Sequence, residues 1–396
     1  MIIVYLIGRF PPVYGGGGNV EIARNIELLN RGHKIYFMTP RYDKSHLSYE
    51  NYMGIHVYRV YPALEGALSS IFYVLNSFIK ILRFGIHPDL IIDVIPYSNP
   101  LPFIRLFSKL LHAPVIGRTT QTGANEPLAS QGGKFGFFRK LFFDTYEHTI
   151  AISPDLVTHC MSGGIPENRV TLIPDCVDTD YFSPIDEADK EKLRNKLFPK
   201  LEGEIVSIVG NVSQRKRSHL AIEAWKALQS KYTKPVTLIF IGPIKSSGHP
   251  FDEDYVHYIR SKIIEYDLED SVLFTGFQKN INEYFKISDI TLFVSEREGL
   301  PGVVLQSLST GVPIVTTNIE KVTEYMLTDN VEGFITSDEP AEIADRMIDL
   351  LSDQELRKKM GLKGRKNVIN RFGIKKNTDA IEELFNNVIR KDICEK

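Results

Sequence analysis

The sequence predicts an α/β protein built from two Rossmann-like domains, and three observations carry that prediction. Short apolar runs of strand type alternate with amphipathic helical stretches, first from Ile2 and again, as a fresh start, from Ile205. The chain has 396 residues, which suggests two domains of about 200 residues, each able to bury its own core. Polar or glycine-containing loops follow the apolar runs at Gly15–Gly18, Arg118–Asn125, Gly210–Arg217 and Ser295–Glu298. Such loops sit where open parallel sheets hold ligands, beyond the carboxyl ends of strands.

Composition narrows the class. A hydrophobic content of 43%, a charged content of 24% and a net charge of -2 describe a globular protein and argue against nucleic acid as its partner. The cysteines Cys160, Cys176 and Cys394 lack metal spacing, so they read as reduced residues of a cytoplasmic protein. The start Met1-Ile-Ile-Val-Tyr-Leu-Ile-Gly has no basic leader or small-residue cleavage site and reads as a first strand.

Residues 1–180 form the expected first domain. Ile2 to Ile7 reads as a strand, Pro11 to Gly18 as a loop, Val20 to Leu29 as a helix and Ile35 to Met38 as the second strand. Four consecutive glycines are not the spaced dinucleotide fingerprint, and no acidic residue ends the second strand, so NAD is not expected. Glycines at a helix start let backbone N–H groups approach an anion. Ile71 to Phe84 reads as an apolar helix whose Asn76, Ser77, Lys80 and Arg83 share one stripe. Two readings stay open for it. The favoured one packs it on the sheet with its charges in water; the other rests it on a membrane surface, as for the run Phe135 to Phe143. Leu90 to Ile95, Pro114 to Ile116, Thr149 to Ile152 and Val170 to Ile173 read as the remaining strands, with Ser153-Pro154 starting a helix. Asp178 and Asp180, and likewise Asp252 and Asp254, read as turn residues and not as a cation site.

Residues 186–372 form the expected second domain. Asp186 to Lys200 reads as a linker and helix. Ile205 to Val209 is a strand, Gly210 to Arg217 a basic loop and Leu220 to Leu228 a helix, so Arg215, Lys216 and Arg217 stand at a helix head as an anion site. Val236 to Ile241, Val272 to Phe274 and Ile290 to Val294 are further strands. The last leads into Ser295-Glu-Arg-Glu298-Gly, a helix over Val303 to Thr310 and the return strand Gly311-Val-Pro-Ile-Val. A helix over about 374–396 is expected to pack back onto the first domain.

Taken together, the glycine loop, Ala151-Ile-Ser-Pro, Val170 to Pro184, Val209-Gly210 with Lys216, and Ser295 to Val315 resemble the retaining nucleotide-sugar glycosyltransferases of family 4, over nearly the whole chain. The resemblance implies a GT-B fold, in which two Rossmann-like domains face each other across a cleft. It also implies transfer from a nucleoside diphosphate sugar to a glycan or lipid-linked acceptor in cell-surface polysaccharide or glycoconjugate biosynthesis, with no cofactor and no essential metal. The location implied is cytoplasmic, with membrane contact through the first domain at the inner face of the membrane.

By that resemblance Glu298, Lys216 and Arg215 are the catalytic candidates. The donor would meet Gly16, Gly17, Gly18, Gly210, Asn211, Phe277, Leu300, Pro301, Gly302, Val303 and Gln306. The acceptor side would be Arg118, Thr119, Thr120, Gln121 and Asn125. Two positions depart from the family pattern. Position 306, ordinarily a Glu on the donor ribose, is Gln, which accepts hydrogen bonds without a carboxylate's charge. Position 211, ordinarily an Arg, is Asn, so Arg215 or Arg217 must supply that charge. These departures keep open a second reading, a GT-B subunit that binds nucleotide sugar with little or no turnover.

Overall fold

The computed structural model describes residues 1–12, 16–61, 67–94, 96, 98, 100–121, 126–131, 140–244 and 252–395, with the backbone alone for 16–19, 67 and 392–395. The chain divides into two compact units, Met1–Cys176 with Ile374–Lys396, and Val177–Gly373. Each is an α/β sandwich around one sheet.

The first unit holds an eight-stranded sheet in the order β3-β4-β2-β1-β5-β6-β7-β8. Its strands are β1 (Ile2–Leu6), β2 (Lys34–Pro40), β3 (Tyr49–Tyr52), β4 (Ile55–Val60), β5 (Leu90–Asp93), β6 (Val115–Thr119), β7 (His148–Ala151) and β8 (Val170–Leu172). All neighbours are parallel except β3 and β4, a hairpin in which Tyr49 faces Tyr58. The parallel strands are buried on both faces, as β1 and β5 are, because helices cover both sides of a parallel sheet. The helix Gly16–Asn30 covers one side together with the last helix, Ile374–Glu395, whose Ile381, Leu384, Phe385 and Val388 enter the core beside Ile3, Tyr5 and Leu28. The helices Ala67–Arg83 and Leu101–Leu111 cover the other side.

The second unit holds a six-stranded, wholly parallel sheet in the order β11-β10-β9-β12-β13-β14, formed by β9 (Glu204–Val209), β10 (Val236–Ile241), β11 (Val272–Gly276), β12 (Ile290–Phe293), β13 (Ile314–Thr317) and β14 (Gly333–Thr336). Numbered within the unit this is the order 3-2-1-4-5-6 of a dinucleotide-type fold, with its topological switch between β9 and β12. Its core gathers Trp225 and Leu228 of the helix Ser218–Gln229, Met347 and Leu350 of Pro340–Ser352, and the sheet residues Leu238 and Leu292.

Several elements differ from the sequence reading. The first helix begins at Gly16, so Gly16, Gly17 and Gly18 form its opening turn and not a loop before it. Glycine is a poor helix former, costing about 1 kcal/mol per residue against alanine, and the burial of Val20, Ile22 and Leu28 further along offsets that cost. The polar stripe expected on the helix Ala67–Arg83 does not face water as a unit. Ser77 is buried, its hydroxyl bonded to the Tyr73 carbonyl at 2.8 Å, and the Asn76 amide donates to the Tyr61 carbonyl. Most of the run Phe135 to Phe143 lies outside the described residues. Asp178 accepts the backbone N–H groups of Asp180 and Tyr181 at 3.0 Å each, and Asp252 caps the helix Glu253–Glu265, so both act in turns and caps.

Candidate functional site

The loops at the switch point of the second unit converge. β9 ends at Val209 and β12 at Phe293, and beyond them lie the turn Gln214–Lys216 and the stretch Ser295–Glu298. Backbone bonds tie the two, with the Glu296 N–H donating to the Arg215 carbonyl at 2.9 Å. Glycine at 242 permits this crowding, since a Cβ there would lie 2.0 Å from the Gly210 carbonyl oxygen. Gly210 itself has φ 144°, a backbone conformation that favours glycine, and a Cβ there would only touch the Lys216 stem, with Cε 3.5 Å away.

Glu298 is the centre of the cluster. Its carboxylate accepts from Lys216 Nζ at 2.6 Å, from Arg215 Nη1 at 2.5 Å and from the Ser295 hydroxyl at 2.8 Å. Burial pushes its pKa up, but the Lys216 and Arg215 charges outweigh this and hold the carboxyl below the ordinary range. For Lys216 burial is the larger influence and draws the ammonium below the usual lysine range, against the pull of Glu298. The Lys216 ammonium also stands 5.2 Å from the centre of the Phe293 ring. Two cations against one carboxylate leave the cluster with net positive charge. An incoming anion therefore meets cations already positioned, with no need to reorganise them.

Arg217 has a different task. Its backbone is left-handed, φ 48°, as the turn passes into the helix Ser218–Gln229. Its guanidinium donates to the Val294 carbonyl at 2.7 Å and to the Thr317 hydroxyl at 2.8 Å, and pairs with Asp338 at 2.6 Å. It braces the ends of β12 and β13, and of the two arginines it is Arg215 that stands with Lys216.

The other donor-side candidates of the second unit occupy the same end of it, whereas Gly16, Gly17 and Gly18 open the helix Gly16–Asn30 of the first unit. Pro301 precedes the helix Gly302–Ser309, Leu300 is buried, and Gly302, Val303 and Gln306 are half-buried. Asn211 is half-buried just after β9, and Phe277 is 47% exposed just after β11. Sequence reasoning missed Ser295, which orients Glu298, and Phe293, beneath Lys216. Their closeness to Glu298 in sequence was the one available signal.

The first unit corrects part of the acceptor-side expectation. Arg118 is 1% exposed and pairs with Glu21 and Asp175, within a buried set that includes Arg24, paired to Glu21 at 3.2 Å. Arg24 Nε also donates to Asn377 of the last helix at 2.9 Å. Thr119 is wholly buried, its hydroxyl donating to the Ile150 carbonyl. Neither side chain is offered to a sugar; the carboxylates that claim Arg118 lie far from it in sequence. Thr120 is half-buried, Gln121 is exposed, and Asn125 lies outside the described residues.

Comparison with known proteins shows what the chain resembles. The family model "Glycosyl transferases group 1" matches residues 189–367, and "Glycosyltransferase Family 4" matches residues 14–181. A similar curated protein is N-acetyl-alpha-D-glucosaminyl L-malate synthase of Bacillus anthracis, 23% identical over 96% of each chain. Another is the capsular polysaccharide biosynthesis glycosyltransferase CapM of Staphylococcus aureus, 23% identical over 61% of this chain and 62% of the other. Among solved structures, HepE of Anabaena in complex with UDP and glucose superposes with a TM-score of 0.75 at 19% identity, over 97% of this chain and 99% of that one. A glycosyltransferase of Rickettsia africae superposes with a TM-score of 0.79 at 17% identity, over 98% of both chains. The likeness to these structures is one of fold.

Proposed function

The chain belongs to the group 1, family 4 type of glycosyltransferases, and from that premise we propose that it moves a sugar from a nucleoside diphosphate sugar to a hydroxyl of a glycan or glycolipid during polysaccharide or glycoconjugate biosynthesis. The observation that carries this reading is the positively charged cluster Arg215–Lys216–Glu298 at the switch point of the second unit. When the bond between the anomeric carbon and the diphosphate oxygen breaks, its electron pair stays on that oxygen. Lys216 and Arg215 stabilise the charge that develops there, the work a metal ion does in other phosphate chemistry. The acceptor oxygen bonds to the anomeric carbon on the same face that the diphosphate leaves, and its proton passes to the departing diphosphate, so the balance closes without an enzyme nucleophile and the configuration is retained. Glu298 sets the two cations and faces the sugar, and Gln306 takes the ribose hydroxyls through its amide. The UDP and glucose bound by the Anabaena protein, and the names of the curated relatives, support a donor of this class.

The test is incubation of the protein with a panel of UDP-, GDP- and ADP-sugars, following release of free nucleoside diphosphate. At least one donor is expected to be hydrolysed slowly by water, and Lys216→Ala to lower that rate by at least about tenfold. Unchanged turnover in the variant would remove the cluster from the mechanism. Binding of a donor with no turnover at all would leave a nucleotide-sugar-binding subunit, the reading to which Asn211 and Gln306 point.

A further inference from the structure

The helix Gln354–Phe372 of the second unit carries seven Lys or Arg residues and one carboxylate, Glu355, in a chain whose net charge is -2. Its cations divide by direction. The three arginines turn to backbone carbonyls: Arg357 donates to Leu350 at 2.6 Å and to Leu351 at 2.8 Å, Arg365 to Ser309 and Phe182, and Arg371 to Tyr325 at 2.6 Å. The four lysines, Lys358, Lys359, Lys363 and Lys366, are exposed. Lys358 pairs with Glu355 at 3.6 Å, whereas none of the other three is paired with a carboxylate among the described residues. Lys359, Lys363 and Lys366 stand at i, i+4 and i+7, so they form one row along about 10 Å of helix. Like charges at these spacings repel and weaken the helix that carries them. A bound anion would remove that repulsion.

The row suits a linear polyanion, and its neighbours narrow the kind. Protein interfaces are depleted of lysine. Single-stranded nucleic acid is held by cations together with aromatic rings on which bases stack, and no outward residue of this helix is aromatic. Beside the row, at i and i+7, run Leu362 and Ile369, 72% and 43% exposed. Two aliphatic side chains give the C–H faces of sugar rings an apolar contact next to the charges. The opposite face of the helix packs on Gly302–Ser309, the helix that follows Glu298, so a polymer on the row lies one helix diameter, roughly 10 Å, from that element. We infer that Lys359, Lys363 and Lys366 hold a linear acidic glycan, with carboxylate or phosphate groups along its chain, on the unit that carries the cation cluster. That the polymer is a sugar chain rests on the reading of the protein as a glycan-directed transferase; that it is anionic rests on the lysine row.

Equilibrium binding of the full chain to fluorescently labelled oligosaccharides, with no nucleotide sugar present, tests it. A polygalacturonate fragment supplies carboxylates, a phosphomannan fragment supplies phosphates, and a dextran fragment of the same length is the neutral control. At least one acidic fragment is expected to bind, more weakly as salt rises, and dextran not at all. Lys359→Gln with Lys363→Gln and Lys366→Gln should lower that affinity by roughly tenfold or more. Thermal unfolding of this variant should be unchanged or shifted upward, because like-charge repulsion is relieved, which separates lost binding from lost folding. Lys192→Gln with Lys196→Gln and Lys279→Gln removes the same charge from exposed positions elsewhere on the unit and should leave the affinity within about twofold of wild type. Absence of binding to both acidic fragments overturns the inference, as does an equal loss in the two triple variants. Tighter binding of a single-stranded DNA oligonucleotide of equal charge would assign the row to nucleic acid and also overturns it. With no donor in the assay, failure here leaves the transfer reading standing, and a protein inactive with every donor leaves this binding standing.

Discussion

Lys216 and Glu298 are each perturbed, and the two perturbations bound the pH range in which the cluster is charged. Glu298 is held below its ordinary value of 4.5. A depressed carboxyl pKa means that its contribution is fully present above the ordinary value and is lost only as pH falls through the lowered one. Lys216 is drawn below its ordinary value of 10.5 by burial, opposed by Glu298. A lysine shifted in that direction loses its proton earlier than usual as pH rises. Above pH ~7 the diphosphate of UDP is itself largely ionised, and the uracil N3–H that titrates further up does so equally for every variant, so the part of an alkaline loss that a Lys216 substitution removes belongs to Lys216. Calorimetric titration with UDP should show binding weakening on the alkaline side at a pH below the ordinary lysine range. Lys216→Arg, whose guanidinium does not titrate there, should flatten that limb. An alkaline limb identical in wild type and variant would mean that Lys216 does not meet the phosphates.

At the scale of elements, the helix Gly302–Ser309 owes its position to an unusually close neighbour. A Cβ on Gly361, in the helix Gln354–Phe372, would lie 1.9 Å from the Gly311 carbonyl oxygen, and one on Gly364 would lie 2.7 Å from Leu308 Cδ2. From the same helix Arg365 donates to the carbonyls of Ser309, Thr179 and Phe182. Alanine for glycine in a helix interior ordinarily adds about 0.5–1 kcal/mol. At position 361 the clash is with backbone, and overpacking costs about 1–3 kcal/mol. Gly361→Ala should therefore destabilise the second unit and weaken UDP binding, read by denaturant unfolding and calorimetry, while the exposed control Lys363→Ala changes neither. A stabilising Gly361→Ala would show that the helices can separate without consequence. This contact also shows where sequence reading stops. The apolar strands β1, β9 and β10 were legible because burial on both faces writes itself as a near-continuous apolar run, broken only by Ser207 in β9 and Thr237 in β10 once past Glu204. The strand β3, Tyr-Glu-Asn-Tyr, was not, because an exposed edge strand carries no such run. At the site, Glu298 and Lys216 were legible through a resemblance spread over several motifs. The burial of Arg118 and the bracing role of Arg217 were not, because each is decided by partners such as Glu21 and Asp338 that only the fold brings near.

Over the whole molecule, the chain leaves the first unit at Cys176 and returns to it at Ile374, so the last helix completes a core begun at residue 2. Ile381, Leu384, Phe385 and Val388 are each at most 9% exposed. At roughly 1.5–3 kcal/mol per buried large apolar side chain, the four contribute up to about 6–12 kcal/mol, an upper bound because the unfolded chain also buries apolar surface. That is comparable with the ~5–15 kcal/mol that holds an ordinary domain folded. Polar contacts fix the register of the helix. Arg31 pairs with Asp379 at 2.7 Å and Glu382 at 2.9 Å, and the Asn377 amide donates to the Pro174 carbonyl at 2.6 Å. A chain ended at Gly373 should therefore lose the cooperative unfolding of the first unit. The second unit, whose sheet, core and cation cluster all lie within Val177–Gly373, should keep its own transition and its affinity for UDP. Calorimetry of the truncated and full-length chains, with and without UDP, separates the outcomes, since a bound ligand raises only the transition of the unit that holds it. Loss of UDP binding on truncation would mean that the second unit's cluster does not hold UDP without the first unit, to which Gly16, Gly17 and Gly18 belong. An unchanged first-unit transition would mean that the last helix covers that core without holding it together.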